Sequence, residues 1–329
     1  MQICHLNRRA FIALLGGAAA WPLAARAQQA AMPLIGFLQS GSVGATARMT
    51  AGFHSGLKEA GYVEGQNVGI VYHYADGQYD RLPALVADLV HRQVAAIFAG
   101  GPPAAQAAKA ATKAIPIVFT SSDPVKLGLV ASLNRPGGNL TGVAFFAAAL
   151  AAKRIELLLE LVPSAATIGL LVNPNFPDTP AEVADGQAAA RAKGLELQAN
   201  YARDDDELEA AFADMNKRRI GALVVSGDIF FNSRRDQIAR LAARHAVPAI
   251  YEWRENTTAG GLMSYGTNVA DGYRQAGNYV ARILKGVQPS DLPIVQPTRF
   301  ELVINLQAAK GLGLTVPLTL QVAADEVIE

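Results

Sequence analysis

Cysteine is almost absent from this sequence of 329 residues, and the one that occurs is Cys4. A single cysteine forms no internal disulfide, and its place near the first residue leaves the rest of the chain without a thiol nucleophile or thiolate ligand. Histidine is also rare, and its five occurrences show no spacing typical of metal ligands. We therefore expect no metal and no cofactor.

Fingerprints of common enzyme classes are missing too. The chain contains no G-x-G-x-x-G and no G-x-x-x-x-G-K-[ST], the glycine-rich loops that hold nucleotide phosphates. It also lacks the G-x-S-x-G of α/β-hydrolases. We expect a protein that is not an enzyme. A two-lobed α/β transferase is the alternative, and it would need a nucleotide site or a general base that no motif indicates.

An excess of one charge is lacking as well, because 29 Lys and Arg face 28 Asp and Glu, for a net charge of +1. Three of the basic residues, Arg8, Arg9 and Arg26, lie in the first 27 residues, where there are no acids. Without that segment the chain carries about −2. Nucleic acid is therefore not an expected partner.

Long apolar runs are absent, and the longest one near the start is short. Arg8 and Arg9 precede an apolar segment at residues 11–20, and an A-x-A pattern follows at residues 25–27. This segment is too short to span a bilayer of about 30 Å, and the order of its parts is typical of a signal peptide cleaved after Ala27. The paired arginines resemble a twin-arginine export signal. We expect an exported, periplasmic protein.

What the sequence does contain is a regular alternation of strands and helices. Apolar runs of four to eight residues alternate with amphipathic stretches of ten to fifteen, which predicts βαβ units and parallel sheets. The strongest break, at residues 135–139 (RPGGN), separates two such series. We predict an α/β fold of two doubly wound parallel-sheet lobes, joined by three segments that act as a hinge. The predicted parts are a signal peptide at 1–27, a first lobe at 32–141 plus 263–290, and a second lobe at 142–262 plus 291–329.

The candidate site follows from this architecture. In open parallel sheets, ligands bind beyond the carboxyl ends of the strands, where turns and helix N-termini converge. The turns that follow the predicted strands carry hydroxyls, glycines, isolated acids and aromatic rings, a mixture that suits a small organic solute. The candidate ligand-binding residues are Ser40, Ser42, Gly100, Gly101, Ser121, Ser122, Asp123, Asn173, Phe176, Asp228, Phe230, Tyr251 and Glu252.

Three roles are predicted within this set. Hydroxyls and free backbone N–H groups would hold an anionic group of the solute, an acid would accept from a donor, and aromatic rings would pack on the apolar body. The first role falls to Ser121, Ser122 and the N–H groups near Gly100 and Gly101, the second to Asp228, and the third to Phe176, Phe230, Tyr251 or Trp253.

Each of these assignments has a structural alternative. The side chains of Ser121, Ser122 and Asp123 also suit the cap of the next helix. The aromatic rings of Phe230 and Trp253 are equally suited to core packing. Glu252 has a basic neighbour, Arg254, with which it could pair instead of contacting a solute.

Six stretches together resemble one family, the substrate-binding proteins of ABC importers of the tryptophan/tyrosine type. They are GLKEAGYVEGQNV (56–68), IPIVF (115–119), DPV (123–125), GNLTGV (138–143), KG (285–286) and FELVIN (300–305). The resemblance covers the chain after the leader. It implies a type I periplasmic-binding-protein fold that closes over one small-molecule ligand and delivers it to an ABC permease in the inner membrane, and we expect a monomer.

The chain departs from the amino-acid-binding members of that family in two turns. Residues 102–105 (PPAA) stand where the resemblance implies Thr-Pro-Ala-Ala, so a hydroxyl is lost, and residues 173–179 also differ. Asp228 does match the acid that the resemblance implies. A sensory module that presents its solute to a receptor kinase remains an alternative to transport.

Overall fold

Two sheets organise the chain in a computed structural model that describes residues 32–145 and 150–329. Within those ranges, residues 34–329 form one compact unit. The predicted signal peptide and its cleavage point after Ala27 lie outside the described residues. Among the helices of the described ranges, none is both long enough and apolar enough to cross a membrane.

The first sheet has five strands in the order β2-β1-β3-β4-β5, all parallel. Its central strands β1, β3 and β4 are buried almost throughout, as expected for a sheet covered by helices on both faces. The strands are β1 Leu34–Gln39, β2 Gly69–Tyr74, β3 Ala96–Gly100, β4 Ile117–Ser121 and β5 Leu140–Ala144.

The second sheet has seven strands in the order β12-β11-β10-β9-β8-β6-β7. All its neighbouring pairs are parallel except β10 with β11. The predicted α/β class with two mainly parallel sheets is therefore confirmed. The strands are β6 Thr167–Val172, β7 Glu196–Tyr201, β8 Ala222–Val225, β9 Ala249–Tyr251, β10 Met263–Thr267, β11 Phe300–Asn305 and β12 Glu326–Ile328.

Helices connect the strands in both halves of the chain. Tyr79–Arg81 and Pro289–Asp291 are short 3₁₀ turns. The α-helices are α1 Ala47–Glu59, α2 Leu82–His91, α3 Pro102–Ala111, α4 Ala151–Leu161, α5 Thr179–Ala192, α6 Asp205–Lys217, α7 Ile229–Ser233, α8 Arg235–Arg244, α9 Arg254–Thr258, α10 Val269–Leu284, α11 Leu306–Gly311 and α12 Leu318–Ala323.

Helices α1 and α10 pack backbone against backbone because glycines line their contact. A Cβ on Gly56 would lie 1.8 Å from the carbonyl oxygen of Arg274, and one on Gly277 would lie 2.2 Å from that of Phe53. Only glycine fits at these two positions. The long helix α10 is thereby joined to α1, the helix that follows β1 of the first sheet.

Strand β10 lies in the second sheet, between β9 and β11, although we expected residues 263–290 to belong to the first lobe. The difference arises from the antiparallel pairing of β10 with β11. Strand β10 precedes helix α10 in the chain and β11 follows it, and the pairing holds both strands in the second sheet. The chain returns to the first sheet after Thr267, at Asn268, which caps α10 by accepting from the Asp271 N–H. The other lobe boundaries stay a prediction.

Each sheet has a topological switch point, where successive connections leave in opposite directions. In the first sheet it lies between β1 and β3, and in the second between β6 and β8. Loops separate at such a point and leave a crevice at the carboxyl ends of the strands. The fold thus offers one crevice per sheet, beside Gln39 and Gly100 in the first and beside Asn173 and Ser226 in the second.

Candidate functional site

A cleft lined by residues at the carboxyl ends of strands from both sheets joins the two crevices. One wall consists of residues at the carboxyl ends of β1, β3 and β4, together with Tyr273 of α10. The other wall consists of residues after β6, β8 and β9 and of the first turn of α5. The chemically distinct groups on these walls are Ser40, Gly101, Ser121 and Ser122 on the first and Phe176, Asp178, Glu182, Glu252 and Trp253 on the second.

Polar groups of the first wall mostly bond to each other. Ser40 Oγ donates to the Gly100 carbonyl oxygen at 3.0 Å and accepts from the Ala104 N–H at 3.2 Å. The Gly101 N–H donates to Thr120 Oγ1 at 2.9 Å. Ser121 differs, because its side chain is buried and its hydroxyl has no hydrogen-bond partner among the described residues.

Three carboxylates gather on the second wall, and two of them titrate far from their ordinary range. Burial raises the pKa of Asp178 to about 6, and the charges of Glu252 and Asp123 act in the same direction, against a hydrogen bond from Ser122. Burial also raises the pKa of Glu182 to about 8, with further contributions from Glu252 and Asp178. Glu252 thus raises the cost of ionising both Asp178 and Glu182.

One of these carboxylates is paired. Glu252 Oε2 lies 3.1 Å from a terminal nitrogen of Arg154, and both side chains are buried. Arg154 also donates through Nε to the Tyr265 carbonyl oxygen at 2.8 Å. The alternative pairing of Glu252 with its neighbour Arg254 is not seen, because Arg254 pairs with Glu326 instead.

Apolar side chains complete the cleft. Phe176 and Trp253 on the second wall, and Met49, Phe145 and Tyr273 on the first, line the same space. The cleft therefore combines aromatic side chains with a group of three carboxyl side chains, Asp178, Glu182 and Glu252, called the acidic corner below. Across residues 32–145 and 150–329, no three His, Cys, Asp or Glu side chains are grouped so that they could hold a metal ion.

Seven of the predicted residues come together in this cleft and six do not. Ser40, Gly100, Gly101, Ser121, Ser122, Phe176 and Glu252 line it, whereas Ser42, Asp123, Asn173, Asp228, Phe230 and Tyr251 do not.

Asp228 lies beside the cleft, where its carboxylate is already occupied. The Tyr79 hydroxyl donates to Asp228 Oδ1, and Asn173 Nδ2 donates to Oδ2 at 2.7 Å. The carboxylate also accepts from the Phe230 N–H at 3.1 Å, which makes Asp228 the cap of helix α7. Burial raises the pKa of Asp228 to about 6, although these three hydrogen bonds oppose the shift.

The other residues outside the cleft have structural roles. Asp123 accepts from the Val125 and Lys126 N–H groups at 3.1 and 3.0 Å, and Ser42 accepts from the Ala45 N–H at 3.3 Å, so both cap turns. Phe230 and Tyr251 are buried in the core cluster of the second sheet.

Asp178 and Glu182 were not among our candidates. Asp178 is the N-cap residue of helix α5 and Glu182 lies in its first turn, whereas the predicted candidates all follow strands. The spacing of the two acids was nevertheless a usable signal, since residues four apart share one face of a helix. A pair of acids facing the end of a buried strand could have been added on that basis.

Side chains from the two walls also contact each other around the cleft. Besides Tyr79 with Asp228, Ser122 Oγ donates to Asp178, and Asn232 Nδ2 donates to the Ala45 carbonyl oxygen at 3.0 Å. At the rim, Arg48 lies 3.2 Å from Glu255 and Lys126 lies 3.7 Å from Asp185. Hydrogen bonds and ion pairs thus connect the two halves of the chain on several sides of the cleft.

Comparison with known proteins relates this chain to substrate-binding proteins. The profile of a family described as ABC transporter substrate binding protein matches residues 35–328. A tyrosine-binding protein of Clostridioides difficile is 28% identical over 264 residues, which are 80% of this chain and 76% of that protein.

Two solved structures bear on the conformation. An ABC domain from Streptococcus pneumonia in complex with L-Trp superposes with a TM-score of 0.83 at 27% identity, over 90% of this chain and 99% of that one. The ligand-free, open structure of a substrate-binding protein with adhesive properties from Clostridium difficile gives 0.66 at 26% identity, with the same coverage. The arrangement described above is closer to the ligand-bound structure than to the open one.

Proposed function

Because this chain belongs to the ABC transporter substrate-binding protein family, we propose that it is the solute-binding component of an ABC importer. Its fold is that of type I periplasmic binding proteins. The observation that carries the proposal is the cleft itself, which lies where the switch points of two sheets meet and is crossed by hydrogen bonds from both sides.

Closure of the two lobes is the proposed mechanism. An open form takes up the solute, and contacts from the opposite wall stabilise the closed form, so the solute shifts the equilibrium by its preference for that form. The ties from Tyr79 to Asp228 and from Ser122 to Asp178 support this mechanism, because they can exist only while the walls are together. The higher TM-score with the L-Trp complex supports it as well.

The cleft suits a small solute with an aromatic body and an amino group. Phe176, Trp253 and Tyr273 offer ring faces and edges to the body, while the acids at Asp178, Glu182 and Glu252 match a positive charge. The related proteins bind tyrosine or L-Trp, which share these two parts. We accordingly place the solute among aromatic compounds that carry an amine.

The setting of this function is the periplasm, and the partner is an ABC permease. The signal peptide predicted from Arg8, Arg9 and residues 25–27 supports export, and the family supports the partner. The protein would release its solute unchanged, without chemical conversion.

Native mass spectrometry of the protein purified without denaturation tests the proposal. We expect one small solute per chain, and small-angle scattering should show a more compact protein with that solute than after its removal. Purification from cells grown in minimal and in rich medium is a control for chance capture. A chain that carries no solute and whose scattering profile stays constant with all candidate solutes would contradict the proposal.

A further inference from the structure

The wall of the cleft is charged with one sign only. It carries three carboxylates, those of Asp178, Glu182 and Glu252, and within the described residues it includes no Lys, Arg or His. Arg154 stands behind the wall and pairs with Glu252. With that pair neutralised, Asp178 and Glu182 remain: at pH 7.5 Asp178, with a pKa of about 6, is mostly ionised, and Glu182, with a pKa of about 8, is mostly protonated.

The helix N-terminus at the opposite wall cannot supply the missing positive charge. Helix α3 points at the cleft through Gly101, Pro102 and Pro103, a position where free N–H groups often hold a carboxylate. The two prolines have no N–H. The Gly101 N–H donates to Thr120 Oγ1, and the Ala104 N–H donates to Ser40 Oγ, so this turn has no N–H left for an anion.

Ser121 is an independent sign that the cleft is built for a ligand. The residue is 1% exposed and lines the cleft, and its hydroxyl has no hydrogen-bond partner in the described part of the chain. A buried hydroxyl without a partner costs about 1–3 kcal/mol. The adjacent Ser122 bonds to Asp178, and both serines line the same cleft, where the Ser121 oxygen can accept from a donor of the solute.

We propose that the cleft is selective for an arylalkylamine without a carboxylate, and that it discriminates against the zwitterionic α-amino acid of the same body. This inference rests on the proposed function, since it names the solute class of the same site. An ammonium group gains the Asp178 carboxylate, whereas a carboxylate buried in this cleft would face that charge with no Lys, Arg or His in the described lining and no N–H from the first turn of α3.

Calorimetry with a matched set of ligands tests the inference at pH 7.5 on the full chain. The first set is 2-phenylethylamine, L-phenylalanine and 3-phenylpropionate, and the second is tryptamine, L-tryptophan and indole-3-propionate. We expect the amine of at least one set to bind at least about tenfold more tightly than its amino acid, and both carboxylates to bind undetectably. Amino acids that bind as tightly as the amines, or amines that do not bind at all, would overturn the inference.

Failure of the inference is distinguishable from failure of the proposed function. Tight binding of L-phenylalanine or L-tryptophan with closure in solution would leave the importer role standing and remove only the amine selectivity. A solute of any class found by native mass spectrometry would do the same if it carries a carboxylate.

Variants of the two walls test the assignment of residues. Asp178→Asn combined with Glu182→Gln should weaken amine binding at least about tenfold. Asp206→Asn combined with Glu160→Gln is the matched control, because both acids are exposed and lie outside the cleft wall, and it should leave affinity unchanged. Pro102→Thr restores an N–H and a hydroxyl, and should improve L-phenylalanine binding relative to 2-phenylethylamine. Amine affinity that survives the double substitution would overturn the role of the acidic corner.

Discussion

The hydroxyl of Tyr79 donates a hydrogen bond to the carboxylate of Asp228 across the cleft. Tyr79 follows β2 of the first sheet, and Asp228 follows β8 of the second. Burial is the main cause of the raised pKa of both groups. Asp228 therefore connects residues of the two sheets in this arrangement, and its direct contact with the solute stays a prediction.

Tyr79→Phe tests this role because it removes one oxygen and keeps the ring. A hydrogen bond to a charged group contributes about 1.5–3 kcal/mol, and its loss should weaken solute binding about tenfold. Small-angle scattering should show a more open protein at the same solute concentration. Tyr201→Phe, at an exposed position, is the control. Unchanged affinity and unchanged scattering in Tyr79→Phe would show that the bond has no part in closure.

The second prediction concerns the pH dependence of stability at Glu182. Burial raises its pKa from the ordinary 4.5 to about 8. In this interval the folded protein keeps a proton that the unfolded chain has lost, so the stabilising contribution is complete below pH 4.5 and is lost as the pH rises through 8. Glu182→Gln stays neutral and retains an acceptor for the Ser226 hydroxyl.

Thermal unfolding without solute at two pH values measures this effect. At pH 8.5 the Glu182→Gln variant should unfold at least about 2 °C above the parent chain, because one unit of pKa difference corresponds to about 1.4 kcal/mol. At pH 4 the difference should vanish. A variant that is less stable than the parent at pH 8.5 would contradict the burial of an unfavourable charge there.

The third prediction concerns the buried pair of Arg154 and Glu252. Glu252→Ala should lower the free energy of unfolding by about 2–4 kcal/mol, because it removes the carboxylate that balances a buried guanidinium. The double variant Arg154→Met with Glu252→Gln should recover most of that loss. Urea denaturation measures both. A single variant as stable as the double one would show that the two charges are not coupled.

The fourth prediction concerns the contact of α1 with α10. Gly56→Ala places a Cβ 1.8 Å from the Arg274 carbonyl oxygen, and the helices must separate, at a cost of about 2 kcal/mol. Gly311→Ala is the control, since it lies at the end of α11 with no atom within 4 Å of the added Cβ. It should be neutral or stabilising by up to about 1 kcal/mol. Equal effects in the two variants would contradict the packing argument.

The fold and half of the candidate site could be predicted from the sequence because both depend on local patterns. Buried β-branched runs and the turns after them locate strand ends, and strand ends in parallel sheets share one edge. Ser40, Gly101 and Ser121 were found in this way. Phe176 and Glu252 were found by the same rule on the second sheet.

The rest of the candidate site could not be predicted, because it depends on contacts between residues far apart in the sequence, which no local pattern contains. Asp228 has the position of a ligand-binding acid, but its carboxylate accepts a hydrogen bond from Tyr79, 149 residues earlier in the chain. Tyr251 points into the core because β9 is buried on both faces. Asp178 and Glu182 reach the cleft only because α5 starts beside the end of β4, which follows from how the two sheets are tied together.

Fluorescence of Trp253 tests the central claim most directly, because Trp253 lines the cleft and the sequence contains only two tryptophans, at 21 and 253. In a Trp21→Phe chain, a titration with a solute that binds one per chain in calorimetry should change the Trp253 emission and saturate at the same concentration. Emission that stays constant throughout such a titration would place the solute outside the cleft and contradict the account.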